Sequence, residues 1–218
     1  MGRKMISESE KLSSRSESEP MNSLAHFYDP MIGFLPCSDF STGISNNGNG
    51  LEVHFRNMNP FLRALLVTDG TVTKLLEAYL WEPVCVERLF HQEIRLKTDL
   101  PMLELKAGDS VLQRHVRLRG VESRRVYTYA ESYVKIDLLE TELQDDLRAG
   151  KLGMGELLRD RRLETYREIL SFWEEQTGEL GSNMELSSDE LLYCRCYRIF
   201  VSGRPVIQIV EKLPVTHY

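Results

Sequence analysis

Basic charge is in short supply in this sequence: 27 Lys and Arg stand against 33 Asp and Glu, a formal charge of -6 with a pI near 5.5. No basic stripe interrupts that balance, so nucleic acid is not expected as a partner. Cysteine is scarce as well. Cys37, Cys85, Cys194 and Cys196 are dispersed, which predicts reduced thiols in a cytoplasmic protein rather than a disulfide framework. Cys194 and Cys196 share one face of a predicted strand but lack two further ligands at a zinc-like spacing, so no metal is expected. The first twenty residues contain no apolar run, only Arg3, Lys4 and many Ser and Glu, and read as neither a secretory signal nor a membrane span. Ile6 breaks the myristoylation pattern, and stable membrane insertion is not expected. There is no internal repeat and no regular βαβ alternation, which excludes repeat arrays and doubly wound sheets.

The 218 residues suffice for one domain with a sizeable core. Residues 1–20 read as a polar, disordered tail and 21–56 as an irregular extension ending in the turn-rich Asn46-Asn47-Gly48-Asn49-Gly50. The domain is expected over 57–218. Pro60 to Leu66 predicts a short helix. A second follows Thr68-Asp69-Gly70, with Val72, Leu75, Leu76, Tyr79 and Leu80 at helical spacing and Asp69 or Thr71 as N-cap. Strands are predicted within Pro83–Lys97, over 111–119, from Val126 to Ile136, and for Leu192–Ser202 and Pro205–Leu213 around a tight turn at Ser202-Gly203-Arg204. A polar helix is predicted over 138–148, and a turn of helix at Glu156–Leu158 after Gly150, Gly153 and Gly155. Arg162 to Gln176 fits a helical stripe (Leu163, Tyr166, Leu170, Trp173) and strand alternation equally. Strands grouped in hairpins with occasional helices point to an α+β domain on an antiparallel sheet.

Two charges are out of place in this pattern. Leu112, Arg114, Val116 and Leu118 share one strand face, so a guanidinium stands among aliphatic side chains. Ile207, Ile209, Glu211 and Leu213 share another, with a carboxylate in the apolar row. A buried guanidinium needs an anionic partner or a bound anion. Two readings are open: an Arg114 to Glu211 ion pair that only fixes the fold, or a pocket in which Arg114 clamps a carboxylate and Glu211 serves as acid, base or hydroxyl acceptor. Val72 and Met154, each at a predicted helix start, offer backbone amides as neutral anion donors.

Together with these segments, Leu65-Leu66-Val67-Thr68-Asp69-Gly70-Thr71-Val72-Thr73, Val111-Leu112-Gln113-Arg114, Tyr129-Ala130-Glu131-Ser132, Gly153-Met154-Gly155-Glu156 and Gly203-Arg204-Pro205 leading to Glu211 resemble the chorismate-pyruvate lyase family over about residues 57–214. The likeness is to its longer branch, known from mycobacteria, cyanobacteria and archaea. The resemblance implies a mostly antiparallel six-stranded sheet with helices over one face and an enclosed ligand pocket, and on that ground Arg162–Gln176 is expected to be largely strand. It implies a cofactor-independent lyase, as in quinone biosynthesis, converting chorismate to 4-hydroxybenzoate and pyruvate. The substrate arginine falls on Arg114, the hydroxyl-contacting glutamate on Glu211 and the backbone donors on Val72 and Met154. Short-branch enzymes reach their glutamate one residue sooner and carry an arginine where this chain has Glu131, which puts an additional cationic contact there in doubt. The alternative is a non-catalytic small-anion-binding module, because effector domains of bacterial transcription regulators look related in fold to this family.

Overall fold

The computed structural model describes residues 58–149 and 153–218. The predicted tail, the irregular extension and Cys37 lie outside them. In chain order the main elements are α1 (Pro60–Val67), α2 (Val72–Leu80), β1 (Val84–Arg95), β2 (Ser110–Gly120), β3 (Val126–Val134), α3 (Thr141–Ala149), α4 (Met154–Asp160), β4 (Thr165–Gln176), α5 (Gly181–Met184), β5 (Leu191–Val201) and β6 (Arg204–Pro214).

The strands form one six-stranded sheet in the order β1-β2-β3-β6-β5-β4, every neighbouring pair antiparallel. The last strand therefore occupies an interior position between β3 and β5, which carries Glu211 into the middle of the sheet. Ser202 (φ 50°) and Gly203 (φ 74°) make the β5–β6 turn, and left-handed conformers at both central positions match the twist of the flanking strands.

Helix α1 starts where Asn59 Oδ1 accepts a hydrogen bond from the Phe61 amide at 2.8 Å and Pro60 supplies the first turn. Its Leu62, Leu65 and Leu66 are buried at helical spacing. Thr71 occupies the N-cap position of α2, but its side chain makes no capping bond. Leu62, Leu66, Val72 and Leu76 pack with Leu118, Phe172 and Leu213 of the sheet. Leu143 and Leu147 of α3 and Leu157 and Leu158 of α4 pack with Leu112, Ile199 and Ile207. The four longer helices thus cover one sheet face, as expected, while α5 covers part of the other through Met184 against Tyr129, Trp173 and Cys194.

Four register shifts interrupt the pairing, and those in β1 and β4 bear on the faces near the helices. Pairing shifts between Arg88 and Phe90 in β1, which puts Phe90 opposite His115 and His91 opposite Arg114. It shifts again between Ile169 and Ser171 in β4. An extra residue flips the faces of everything after it, so Arg167 and Ile169 before the β4 bulge share a face with Phe172 beyond it. The ambiguity of 162–176 has its cause here: the strand begins at Thr165 and neither a pure helical nor a pure alternating pattern describes it.

Candidate functional site

Alternation along β2 turns Leu112, Arg114, Val116 and Leu118 toward the helices, and the register carries that face across the sheet. One row runs Arg114, Ser132, Ile209, Tyr197, Ile169; the next runs Val116, Ala130, Glu211, Arg195, Phe172. Between these rows and the helices lies a cavity of about 80 Å³ whose wall includes Arg114, Ser132, Ile209 and Glu211. Val72 and Met154 line it from the starts of α2 and α4, where first-turn amides have no acceptor within their own helix. All four residues singled out from the sequence are brought to one cavity.

The two helix starts also meet each other. A Cβ built on Gly155 would lie 3.0 Å from Thr71 Cγ2, and one on Gly153 would lie 3.2 Å from Val86 Cγ2. Glycine permits the approach of these loops over the sheet.

Arg114 is 3% exposed. Burial, with a smaller contribution from the like charge of Arg88, pushes its guanidinium down to about 10. Its surroundings therefore disfavour the charge it carries at neutral pH, and an anion beside it would relieve that penalty. His91, its register partner on β1, donates from Nε2 to the Arg148 carbonyl at 3.2 Å. Burial and then the charge of Arg114 hold its imidazole below the usual histidine range.

Glu211 is answered by Arg195 on the neighbouring strand, which the sequence reading passed over. Arg195 Nε and Nη2 each lie 2.7 Å from Glu211 Oε2, and Tyr197 Oη donates to Oε1 at 3.0 Å. This corrects the ion-pair reading: the buried cation paired with Glu211 is Arg195, not Arg114. Burial works most strongly, to lower the Arg195 guanidinium, but the charge of Glu211, Tyr197 and the hydrogen bonds to both together outweigh it and the net shift is upward. Arg195 Nη1 also donates to the carbonyls of Leu66 at 3.0 Å and Thr68 at 2.8 Å. One side chain, 1% exposed, so orients Glu211 and ties the α1–α2 loop to the sheet. The signal for it was present in the sequence, since Arg195 stands between Tyr193 and Tyr197 on one face of a strand just as Arg114 stands between leucine and valine.

Arg167 is a second residue that the sequence reading missed. It lines the cavity from β4, and its Nη1 donates to the Asp69 carbonyl. Glu131 pairs in register with His115 and Val210 and faces away from the cavity, so it neither adds to nor opposes the site. Cys194 and Cys196 are buried on that opposite face, and among the described residues no cluster of three potential metal ligands occurs. No helix among them is long and apolar enough to cross a membrane.

The effector domain of PhnF from Mycobacterium smegmatis superposes with a TM-score of 0.53 at 10% identity, covering 68% of this chain and 90% of that one. The gene product SA0254 from Staphylococcus aureus gives 0.52 at 17% identity, over 69% and 91%. At such identities the likeness is one of fold. In sequence, the chorismate pyruvate-lyase of Mycobacterium leprae is 32% identical over 161 residues, covering 72% of this chain and 75% of that protein. The protein of the same name from Mycobacterium tuberculosis is 26% identical over 167 residues, covering 73% and 82%. The profile of the Rv2949c-like chorismate pyruvate-lyases matches residues 66–217, a span that includes every residue of the cavity described above. The chain belongs to the Rv2949c-like chorismate pyruvate-lyase family.

Proposed function

We propose that this protein removes the enolpyruvyl group of chorismate, giving 4-hydroxybenzoate and pyruvate. The observation that carries the reading is a single cavity bounded by a charge-penalised guanidinium, Arg114, and by Glu211, whose own charge is balanced by Arg195. A ring carboxylate on Arg114 turns a penalty into a charge-assisted, bidentate contact. The amides of Val72 and Met154 assist anion binding without adding a buried charge.

Glu211 acts as the acceptor for the C4 hydroxyl. Each carboxylate oxygen has two lone pairs; Oε2 faces both Nε and Nη2 of Arg195, while Oε1 receives only the Tyr197 hydroxyl and can accept a further hydrogen bond. Proton uptake by Glu211 would leave the Arg195 guanidinium buried and unpaired, a costly state. This favours an orienting acceptor over a base. The C4 hydrogen then passes to the enolpyruvyl methylene as the C3–O bond breaks. The new C3–C4 double bond completes the aromatic ring, the methylene becomes the methyl of pyruvate and no external acceptor is required. The protein's own work is to desolvate the substrate, hold it in the reactive conformation and exclude water.

Incubation with chorismate tests the proposal, with 4-hydroxybenzoate and pyruvate expected in equal amounts. Tight binding of 4-hydroxybenzoate without turnover would instead support an anion-binding module, and neither binding nor turnover would refute both. Chorismate labelled with deuterium at C4 should deliver the label to the pyruvate methyl group; a label lost to solvent restores Glu211 as base.

A further inference from the structure

Chorismate has two carboxylates, and the assignments above place only one of them on a cation. Arg195 cannot serve the second, because its charge is committed to Glu211. The cavity wall contains one further guanidinium, that of Arg167 on β4. Its register partner is Ile199, in the row Leu112, Val134, Ile207, Ile199 that faces the helices. β2 and β4 stand four strands apart in the sheet, roughly 19 Å at ordinary strand spacing. The two guanidinia therefore enter the cavity from opposite sides, with Glu211 on a strand between them.

The hydrogen bonding of Arg167 is unfinished in a particular way. Nη1 is held by the Asp69 carbonyl, in the loop joining α1 to α2. Nε is buried and has no acceptor among the described residues. A buried donor without an acceptor costs free energy. The Nε and Nη2 edge is the one that grips a carboxylate with two parallel bonds, and the cavity wall also includes Thr71 and Thr73. Arg167 also bears on Tyr197, the donor to Glu211.

We propose that Arg167 receives the enolpyruvyl carboxylate, so that the site selects a dianion with Arg114 at one end and Arg167 at the other. This rests on the lyase reading and adds its substrate specificity. It makes the two products distinguishable: 4-hydroxybenzoate uses Arg114, and pyruvate uses Arg167.

The test is Arg167→Gln, in which the amide can still donate to Asp69 while the charge is gone. Chorismate KM should rise roughly 30-fold or more, the usual result of truncating one partner of a desolvated charge pair. Affinity for 4-hydroxybenzoate should change less than about threefold, and Arg167→Lys should recover part of the loss. Equal weakening of chorismate and 4-hydroxybenzoate would reduce Arg167 to a support for the loop and overturn the proposal, as would an unchanged KM. If wild-type protein fails to convert chorismate, the lyase reading falls at that step; if it converts chorismate and Arg167→Gln keeps its KM, only the Arg167 assignment falls. Should the variant fail to fold, wild-type protein with the enolpyruvyl methyl ester of chorismate supplies the same comparison, and an ester bound as tightly as chorismate overturns the proposal.

Discussion

Replacing Arg114 with methionine should make the empty protein more stable while destroying its affinity for product. The pull of the Arg114 guanidinium down to about 10 corresponds to about 3 kcal/mol against its charged form at neutral pH. Methionine has comparable length and no charge, and an imperfect fit of a volume-conserving swap costs about 1 kcal/mol. The net expectation is a gain of about 1 to 2 kcal/mol, or a rise of about 2 to 8 °C in Tm for a chain of this size. The sign extends to pH. The folded value lies below the unfolded one, so the native wild type sheds its proton first, and its deficit relative to Arg114→Met shrinks as pH climbs above about 10. Loss of the clamp should weaken 4-hydroxybenzoate by roughly 30-fold or more. Urea and thermal unfolding measure the first effect, and calorimetric titration the second. A variant that loses about 2 kcal/mol or more of stability while binding 4-hydroxybenzoate normally would refute the reasoning and make Arg114 a structural group.

Glu211→Gln should abolish most turnover and cost about 3 kcal/mol, because Arg195 remains buried opposite a neutral side chain; adding Arg195→Met should recover stability in urea melts but not activity. Binding of 4-hydroxybenzoate should raise the His91 imidazole toward about 6.5 by neutralising the field of Arg114, as read by an NMR titration; an unmoved His91 means that the anion is elsewhere. In the empty protein His91 is depressed, so its share of stability is complete above about 6.5 and is lost as pH falls below that; His91→Asn should flatten that loss. Gly155→Ala forces a methyl group to within 3.0 Å of Thr71 Cγ2 and should cost about 1 to 3 kcal/mol. Thr71→Ser removes that methyl, and in the double variant most of the loss should disappear.

The faces of β2 and β6 were legible because an unbroken strand repeats every two residues, and both Arg114 and Glu211 violated that repeat visibly. Their helix-start companions Val72 and Met154 were legible from capping and glycine signals and from the family resemblance. Arg167 was hidden for a local reason: the bulge near Leu170 mixes two periodicities in β4 and conceals which of its side chains face the helices. Arg195 carried the same signal as Arg114, but its partner could not be read, since parity tells which face a side chain takes and not which strand lies beside it.

The sequence by itself determined that this chain would bury a cation and a carboxylate in apolar strand faces, because alternation is a property of a few consecutive residues. Only the tertiary structure decided how those charges are matched. Inserting the last strand between β3 and β5 sets Glu211 against Arg195 and leaves Arg114 and Arg167 on either side of one cavity. Strand order and register depend on contacts between residues far apart in the chain, and no local period encodes them.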